Sequence, residues 1–165
     1  MNKQLEKALY QQLNREYFSA YQYLAMSAYF EHQSFKGFAS WMRRQSDEEM
    51  EHMMKYYTYI IDRDGEMAFE SIAKPIQKFS SPLSVFQAGL KQEKEITKHI
   101  HNLIELAISK KDHATHHFLQ WFITEQVEEE SSFKDIVHQL SLIGTNKAGL
   151  LMLDKKLGES ASRES

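Results

Sequence analysis

This sequence contains no cysteine and only two prolines and six glycines among its 165 residues. The lack of cysteine excludes disulfides, thiolate metal sites and cysteine nucleophiles, and it makes a reducing cytoplasm the expected compartment. No apolar run is long enough to span a bilayer, and the polar N-terminal segment does not resemble a signal peptide. Basic residues number 20 against 23 acidic ones, which argues against a nucleic-acid groove. We therefore expect neither a membrane nor a nucleic acid as partner.

Long segments with helical periodicity fill the stretches between the few glycines and prolines. Ser81 followed by Pro82 is typical of a helix start, Asp112 is a second candidate cap, and Gly65 is a candidate terminator. The length fits one domain over residues 1–165. The pattern predicts an all-α chain with helices over about 3–32, 36–64, 82–110 and 112–143 and a short tail helix over 147–157.

The lengths of the linkers predict the topology. A few residues around Ser34 join the first two helices, and a few around Lys111 join the third and fourth, so each pair must form an antiparallel hairpin. The second and third helices are separated by a stretch long enough to run the length of a bundle. The expected architecture is therefore a four-helix bundle of two hairpins joined by one long crossover.

Polar residues interrupt the apolar stripe of every long helix. A bare carboxylate in an apolar interior is very costly, so it must be protonated, paired or bound to a cation. No lysine or arginine shares these stripes at the same level, and a multivalent cation is therefore the predicted partner. The interrupting residues are Glu16, Glu49 with His52, Glu93, and Gln126 with Glu129.

The spacing of these residues repeats between the two hairpins. Glu16 and Glu49 are 33 residues apart, as are Glu93 and Gln126. The residues of the second pair each come 77 positions after the corresponding residues of the first pair. The ligand positions are therefore expected at one height in all four helices. Carboxylates with one imidazole favour iron or manganese over zinc and calcium. Two metals that share a carboxylate can give dioxygen two electrons at once.

Three segments carry a resemblance to a known family: REYFSAYQYL around Glu16, EEMEH at 48–52 and EQVEEE at 125–130. Over nearly its whole length the chain resembles the non-haem bacterial ferritins. The resemblance implies a ferritin-like bundle with a short fifth helix. It also implies oxidation of iron(II) by dioxygen or hydrogen peroxide, and storage of iron(III) mineral in a homo-oligomeric cage of 24 subunits. The leucine face of the tail helix, which has no place in a complete four-helix core, favours such a cage.

The same resemblance implies roles for individual residues. Gln126 would be a hydrogen-bonding neighbour of the irons. Tyr23 would contact the site and give up an electron, although a core tyrosine with a satisfied hydroxyl is the alternative. The implied ligands are Glu16, Glu49 and His52 for the first iron, and Glu93, Glu129 and the bridging Glu49 for the second.

Neighbouring glutamates form a possible third iron site by the pseudo-repeat and the resemblance. The alternative is that these carboxylates are hydrated and attract iron non-specifically. Trp121 is expected in the core rather than in a redox relay. The four glutamates are Glu48, Glu125, Glu128 and Glu129.

Other classes of protein fit the sequence less well. Bacterioferritins ligate haem through a methionine at the position of Met50, but they carry a second Glu-x-x-His where this chain has Gln126 to Glu129, so no haem is expected. Rubrerythrin-like peroxidases need cysteine-ligated iron, and twelve-subunit mini-ferritins lack the C-terminal helix. A metal-free interaction bundle would carry apolar residues at the four ligand positions.

Overall fold

The structure, a computed structural model, describes residues 1–163 as five α-helices without a strand. The four long helices form two antiparallel hairpins, and the predicted fold class is confirmed. No helix in this range combines the length and the apolar character needed to cross a membrane. The helices are α1 (Lys3–His32), α2 (Lys36–Asp62), α3 (Pro82–Ser109), α4 (His113–Ile143) and α5 (Lys147–Arg163).

Side-chain caps start the helices of the second hairpin. Ser81 accepts a hydrogen bond from the backbone N–H of Ser84 at 3.1 Å, ahead of Pro82 at the first helical position. Asp112 accepts one from the N–H of Thr115 at 2.9 Å. Each cap pairs an otherwise orphaned backbone donor, which is why these helices begin where the sequence indicates.

Helix α2 ends at Asp62, two residues before the expected end. Asp64, rather than Gly65, takes the left-handed conformation, with φ of 54°. The N–H of Gly65 then bonds back to the carbonyl of Ile60 at 2.9 Å and closes the helix. The crossover that follows is tied to α1 by Gln22, whose side chain makes two 2.8 Å bonds to the backbone of Ile76.

Helix α5 is longer than expected and packs mainly on α2. Leu153 and Leu157 are buried against it, and Asp154 accepts a 2.8 Å bond from the N–H of Phe38. A Cβ on Gly37 would lie 1.7 Å from the carbonyl oxygen of Asp154, so only glycine allows this approach. The leucine face of α5, which was expected to have no place in the four-helix core, is therefore partly covered by α2 of the same chain.

The core consists of two apolar clusters with a polar layer between them. One cluster surrounds Phe30, Phe86 and Phe133, and the other surrounds Leu9 and Phe122. Between the clusters lie buried polar side chains from all four helices: Glu16, Glu49, His52, Glu93 and Gln126. The bundle therefore encloses a charged layer inside an otherwise apolar interior.

Candidate metal centre

The first hairpin brings together Glu16, Glu49 and His52. One ligand atom from each lies within 4.8 Å of the others, and the three residues are 1%, 3% and 5% exposed. The two carboxyl groups share a hydrogen bond, and Nδ1 of His52 lies 3.4 Å from Oε2 of Glu49. Three oxygen and nitrogen donors around one point, all shielded from water, match the ligands that iron accepts.

The second hairpin adds Glu93, which is fully buried on α3. It accepts hydrogen bonds from the hydroxyl of Tyr23 and, at 3.1 Å, from Nε2 of Gln126. A carboxyl–carboxyl hydrogen bond also joins it to Glu49. Glu49 thus lies between Glu16 and Glu93, which is the position that a bridging ligand requires.

Glu129 makes no hydrogen bond to this group among those described, and neither does His52, which only approaches Glu49. It is largely buried on α4, where the charge of Glu93 acts on it together with those of Glu48 and Glu125. Glu129 therefore lies between the buried centre and the acidic groove described below.

The 33-residue spacing corresponds to real side-chain pairs. Glu16 bonds to Glu49, and Glu93 bonds to Gln126. One turn further along the second hairpin, Thr97 donates a 2.8 Å bond to Glu130, again 33 residues away. The repeat places equivalent residues of each hairpin side by side.

The electrostatics of the centre favour neutral groups when no cation is bound. Burial raises the pKa of Glu16 to about 7 and that of Glu129 to about 9, and nearby carboxylates add to both shifts. Burial likewise raises the pKa values of Glu49 and Glu93 and lowers that of His52 to about 4. A cation would replace the shared protons and remove the repulsion between carboxylates.

Two residues near the centre escaped the sequence analysis. Gln12 donates a 2.8 Å bond to Glu16, and Tyr56 lies buried one turn after His52. Each lies four residues from a predicted ligand. That spacing could have identified both as neighbours of the site, because residues four apart share one helix face. Tyr56 was hidden by its aromatic character, which fits an apolar stripe equally well.

Trp121 does not lie in the core, and that prediction is wrong. Its side chain is 39% exposed, with the ring edge-on to His52 at 5.3 Å and Lys55 Nζ 4.5 Å above it. The ring borders the groove between α2 and α4. Because one of its faces is open to solvent, the ammonium group of Lys55 can lie over it. Trp121 shields the imidazole rather than filling the interior.

The four glutamates of the predicted third site line one groove of about 570 Å³ between α2, α4 and α5. Burial, followed by the charges of Glu128 and Glu48, raises the pKa of Glu125. Arg44 also lines this groove, with its Nε 3.8 Å from Glu48, and its charge acts on Glu129. The sequence predicted no lysine or arginine on the apolar stripes at the level of the buried carboxylates. The groove beside them does contain a basic residue, Arg44.

Met50 lines a different groove, of about 650 Å³, with Met54, Tyr59 and Phe118. Its side chain is 37% exposed although it follows Glu49 directly. The expected absence of haem there stays a prediction.

Comparison with known proteins agrees with this geometry. A family model described as a ferritin-like domain matches residues 6–143. A bacterial non-heme ferritin of Staphylococcus aureus (strain USA300) is 43% identical over 158 residues, covering 96% of this chain and 95% of that protein. Its counterpart in Staphylococcus epidermidis is 42% identical over 164 residues, or 99% of each chain.

Solved structures agree as well. An open pore ferritin from the archaeon Archaeoglobus fulgidus matches with a TM-score of 0.95 at 44% identity, covering 96% of this chain and 98% of that one. The resemblance predicted from the sequence is thereby confirmed. With a family model matching most of its length and relatives of 42–43% identity over nearly all of it, the chain belongs to the ferritin family.

Proposed function

We propose that this ferritin-family chain stores iron by oxidising iron(II) at a two-iron centre and holding the iron(III) product inside a cage of 24 subunits. The proposed ligands of the first iron are Glu16, Glu49 and His52. Those of the second are Glu93, Glu129 and the shared Glu49. Iron is the substrate of this centre, as well as the cargo of the cage.

The observation that carries the proposal is the place of Glu49. Its buried carboxyl contacts Glu16 on one side and Glu93 on the other, with His52 3.4 Å away. Several carboxylates without a basic partner in one apolar layer cost the apo fold stability, and only a multivalent cation offsets that cost for all of them at once. A metal-free interaction bundle would gain nothing from this arrangement.

The chemistry needs both irons. Each iron(II) gives up one electron, and one dioxygen molecule takes both electrons with two protons to become hydrogen peroxide. With hydrogen peroxide as the oxidant, the same two electrons and two protons yield two water molecules. Carboxylates stabilise the iron(III) product because they supply negative charge in a shielded site.

Tyr23 is proposed as a further electron donor. Its hydroxyl donates to Glu93, and burial followed by the neighbouring carboxylates raises its pKa well above the ordinary value. The phenol therefore keeps its proton at neutral pH. Loss of an electron would be accompanied by transfer of that proton to Glu93, its hydrogen-bond acceptor.

The test of storage uses the particle itself. Protein mixed with iron(II) in air should elute as a particle of roughly 470 kDa, that is 24 chains of 19.4 kDa, with the iron co-eluting. The large exposed side chains Tyr17, Tyr21 and Leu24 on α1 support such an assembly, because a free surface rarely exposes them together. A monomer or dimer mass, or iron lost as precipitate, would contradict the proposal.

The third iron site is proposed at the acidic groove. Replacing Glu125 with alanine should lower specific iron binding from about three to about two ions per chain while the fast oxidation phase survives, because the two-metal core keeps its ligands. Calorimetric titration under anaerobic conditions, together with stopped-flow absorbance, measures both quantities.

The matched control is Glu105→Ala, which removes an exposed glutamate from α3. It should change neither quantity. A wild type that binds only two ions, or a Glu125→Ala variant without the fast phase, would contradict a separate third site.

A further inference from the structure

Carboxyl–carboxyl proton sharing aside, four buried oxygen atoms at the candidate centre make no hydrogen bond to any group in the part of the chain that the structure describes. They are Gln12 Oε1, Glu16 Oε2, Glu49 Oε2 and the hydroxyl of Tyr56, on residues that are at most 3% exposed. Buried polar atoms in folded proteins almost always have partners, so a group of such atoms indicates a missing occupant. Tyr56 is the one member that carries a proton to donate, apart from any that the carboxyl groups hold.

Tyr56 is held rigidly beside the carboxylates. Its ring stacks on Phe122 with centroids 4.3 Å apart and meets Phe118 edge-on at 5.5 Å. The charges of Glu16 and Glu49 act on its hydroxyl, and burial does most to raise its pKa well above the ordinary value. The hydroxyl is therefore protonated, fixed in place and near both ligands.

Its place in the sequence matches that of Tyr23. Tyr23 comes seven residues after Glu16, and Tyr56 comes seven residues after Glu49. A seven-residue step is two helical turns, so each tyrosine lies on the same face as its glutamate. The difference is that the hydroxyl of Tyr23 already has a partner in Glu93, whereas that of Tyr56 has none.

We infer that Tyr56 is a positioning residue of the first iron site, where its hydroxyl hydrogen-bonds a water or hydroxide carried by the iron that Glu16, Glu49 and His52 hold. The inference rests on the proposed function. Three protein ligands leave open positions on the ion, and water fills them. That bound oxygen is the partner that the phenol lacks in the metal-free chain.

The test compares Tyr56→Phe with Tyr23→Phe, using cobalt(II) as a redox-stable probe of the site. Without metal, Tyr56→Phe should melt at or above the wild-type temperature, because it removes a buried unpartnered hydroxyl. Tyr23→Phe should melt lower, because Glu93 loses one of its two hydrogen-bond donors. With cobalt(II), Tyr56→Phe should bind the first ion about threefold to tenfold more weakly, the effect of one lost hydrogen bond. Its cobalt-induced rise in melting temperature should shrink accordingly.

A purely structural role for Tyr56 predicts a different pattern. Tyr56→Phe would then keep the wild-type cobalt affinity and the full rise in melting temperature, and the inference would be wrong. A phenolate-to-iron charge-transfer band lost in Tyr56→Phe would also overturn it, because the phenol would then be a ligand. Wild type that binds no cobalt(II) and does not oxidise iron(II) would instead overturn the proposed function.

A second measurement covers the case in which Tyr56→Phe does not assemble. Cobalt(II) is added to Tyr23→Phe, and the ultraviolet difference spectrum of its tyrosines is recorded. A saturable shift of the tyrosine band at one equivalent supports the inference. An unchanged band at that point overturns it.

Discussion

Replacing His52 with alanine is expected to slow the initial oxidation of iron(II) by at least about a hundredfold, since even supporting residues of metal sites cost up to that factor. The imidazole is the only nitrogen donor among the three grouped ligands, and its pKa is lowered to about 4 by burial. It is therefore neutral and ready to bind metal at pH 7. Stopped-flow absorbance of the ferric product measures the rate.

Glu16→Ala should have the same effect on the rate through the loss of a carboxylate ligand. The metal-free fold should tolerate this change, because a buried carboxyl with one unpartnered oxygen is removed. Circular dichroism and particle size would establish that the cage is intact. His101→Ala, which removes an exposed histidine from α3, is the matched control and should keep the wild-type rate. Unchanged rates in both ligand variants would refute the assignment.

The second large effect is a dependence of stability on pH that reverses when metal binds. The melting temperature of the metal-free protein is expected to fall as the pH rises from about 7 to about 9. Glu16 and Glu129 have pKa values raised to about 7 and about 9, from an ordinary value of 4.5. The folded chain therefore holds more protons than the unfolded chain in this window. Stability supplied by these groups is present below pH 4.5 and is lost as the pH rises through the raised values.

His52 acts in a different window. Its folded pKa of about 4 is below the ordinary 6.5, so its contribution is lost as the pH falls through the range between them. Above pH 7 only the carboxylates matter, and the expected direction is unambiguous there. Bound metal replaces their protons, so the metal-loaded protein should gain stability over the same range.

Melting curves at several pH values, with and without cobalt(II), measure both slopes. Glu129→Gln should flatten the metal-free slope, because it removes a carboxyl group whose pKa is raised to about 9. Glu105→Gln, an exposed change, should leave the slope as it is. A metal-free melting temperature that stays level or rises between pH 7 and 9 would contradict the burial of ionisable carboxylates.

Much of this molecule could be predicted from the sequence. The helices follow from the apolar period and the scarcity of breakers, and the two hairpins follow from linker lengths. The candidate ligands were found because a carboxylate on an apolar stripe is conspicuous, as at Glu16 and Glu93. Their grouping follows from the equal 33-residue spacing, which places the two helices of each hairpin in the same register. The metal roles of these residues stay predictions.

Only the tertiary structure decided which groups have partners. Periodicity places Tyr23 and Tyr56 on buried faces but does not distinguish their hydroxyls, because the partner of the first comes from α3. The exposure of Trp121 on α4 and the effect of Arg44 of α2 on Glu129 of α4 depend on how α2 and α4 pack, which no single helix encodes. The leucine face of α5 is covered because Gly37 lets that helix approach α2. Whether a buried polar side chain has a hydrogen-bond partner depends on residues that are distant in the chain. Local sequence patterns do not contain that information.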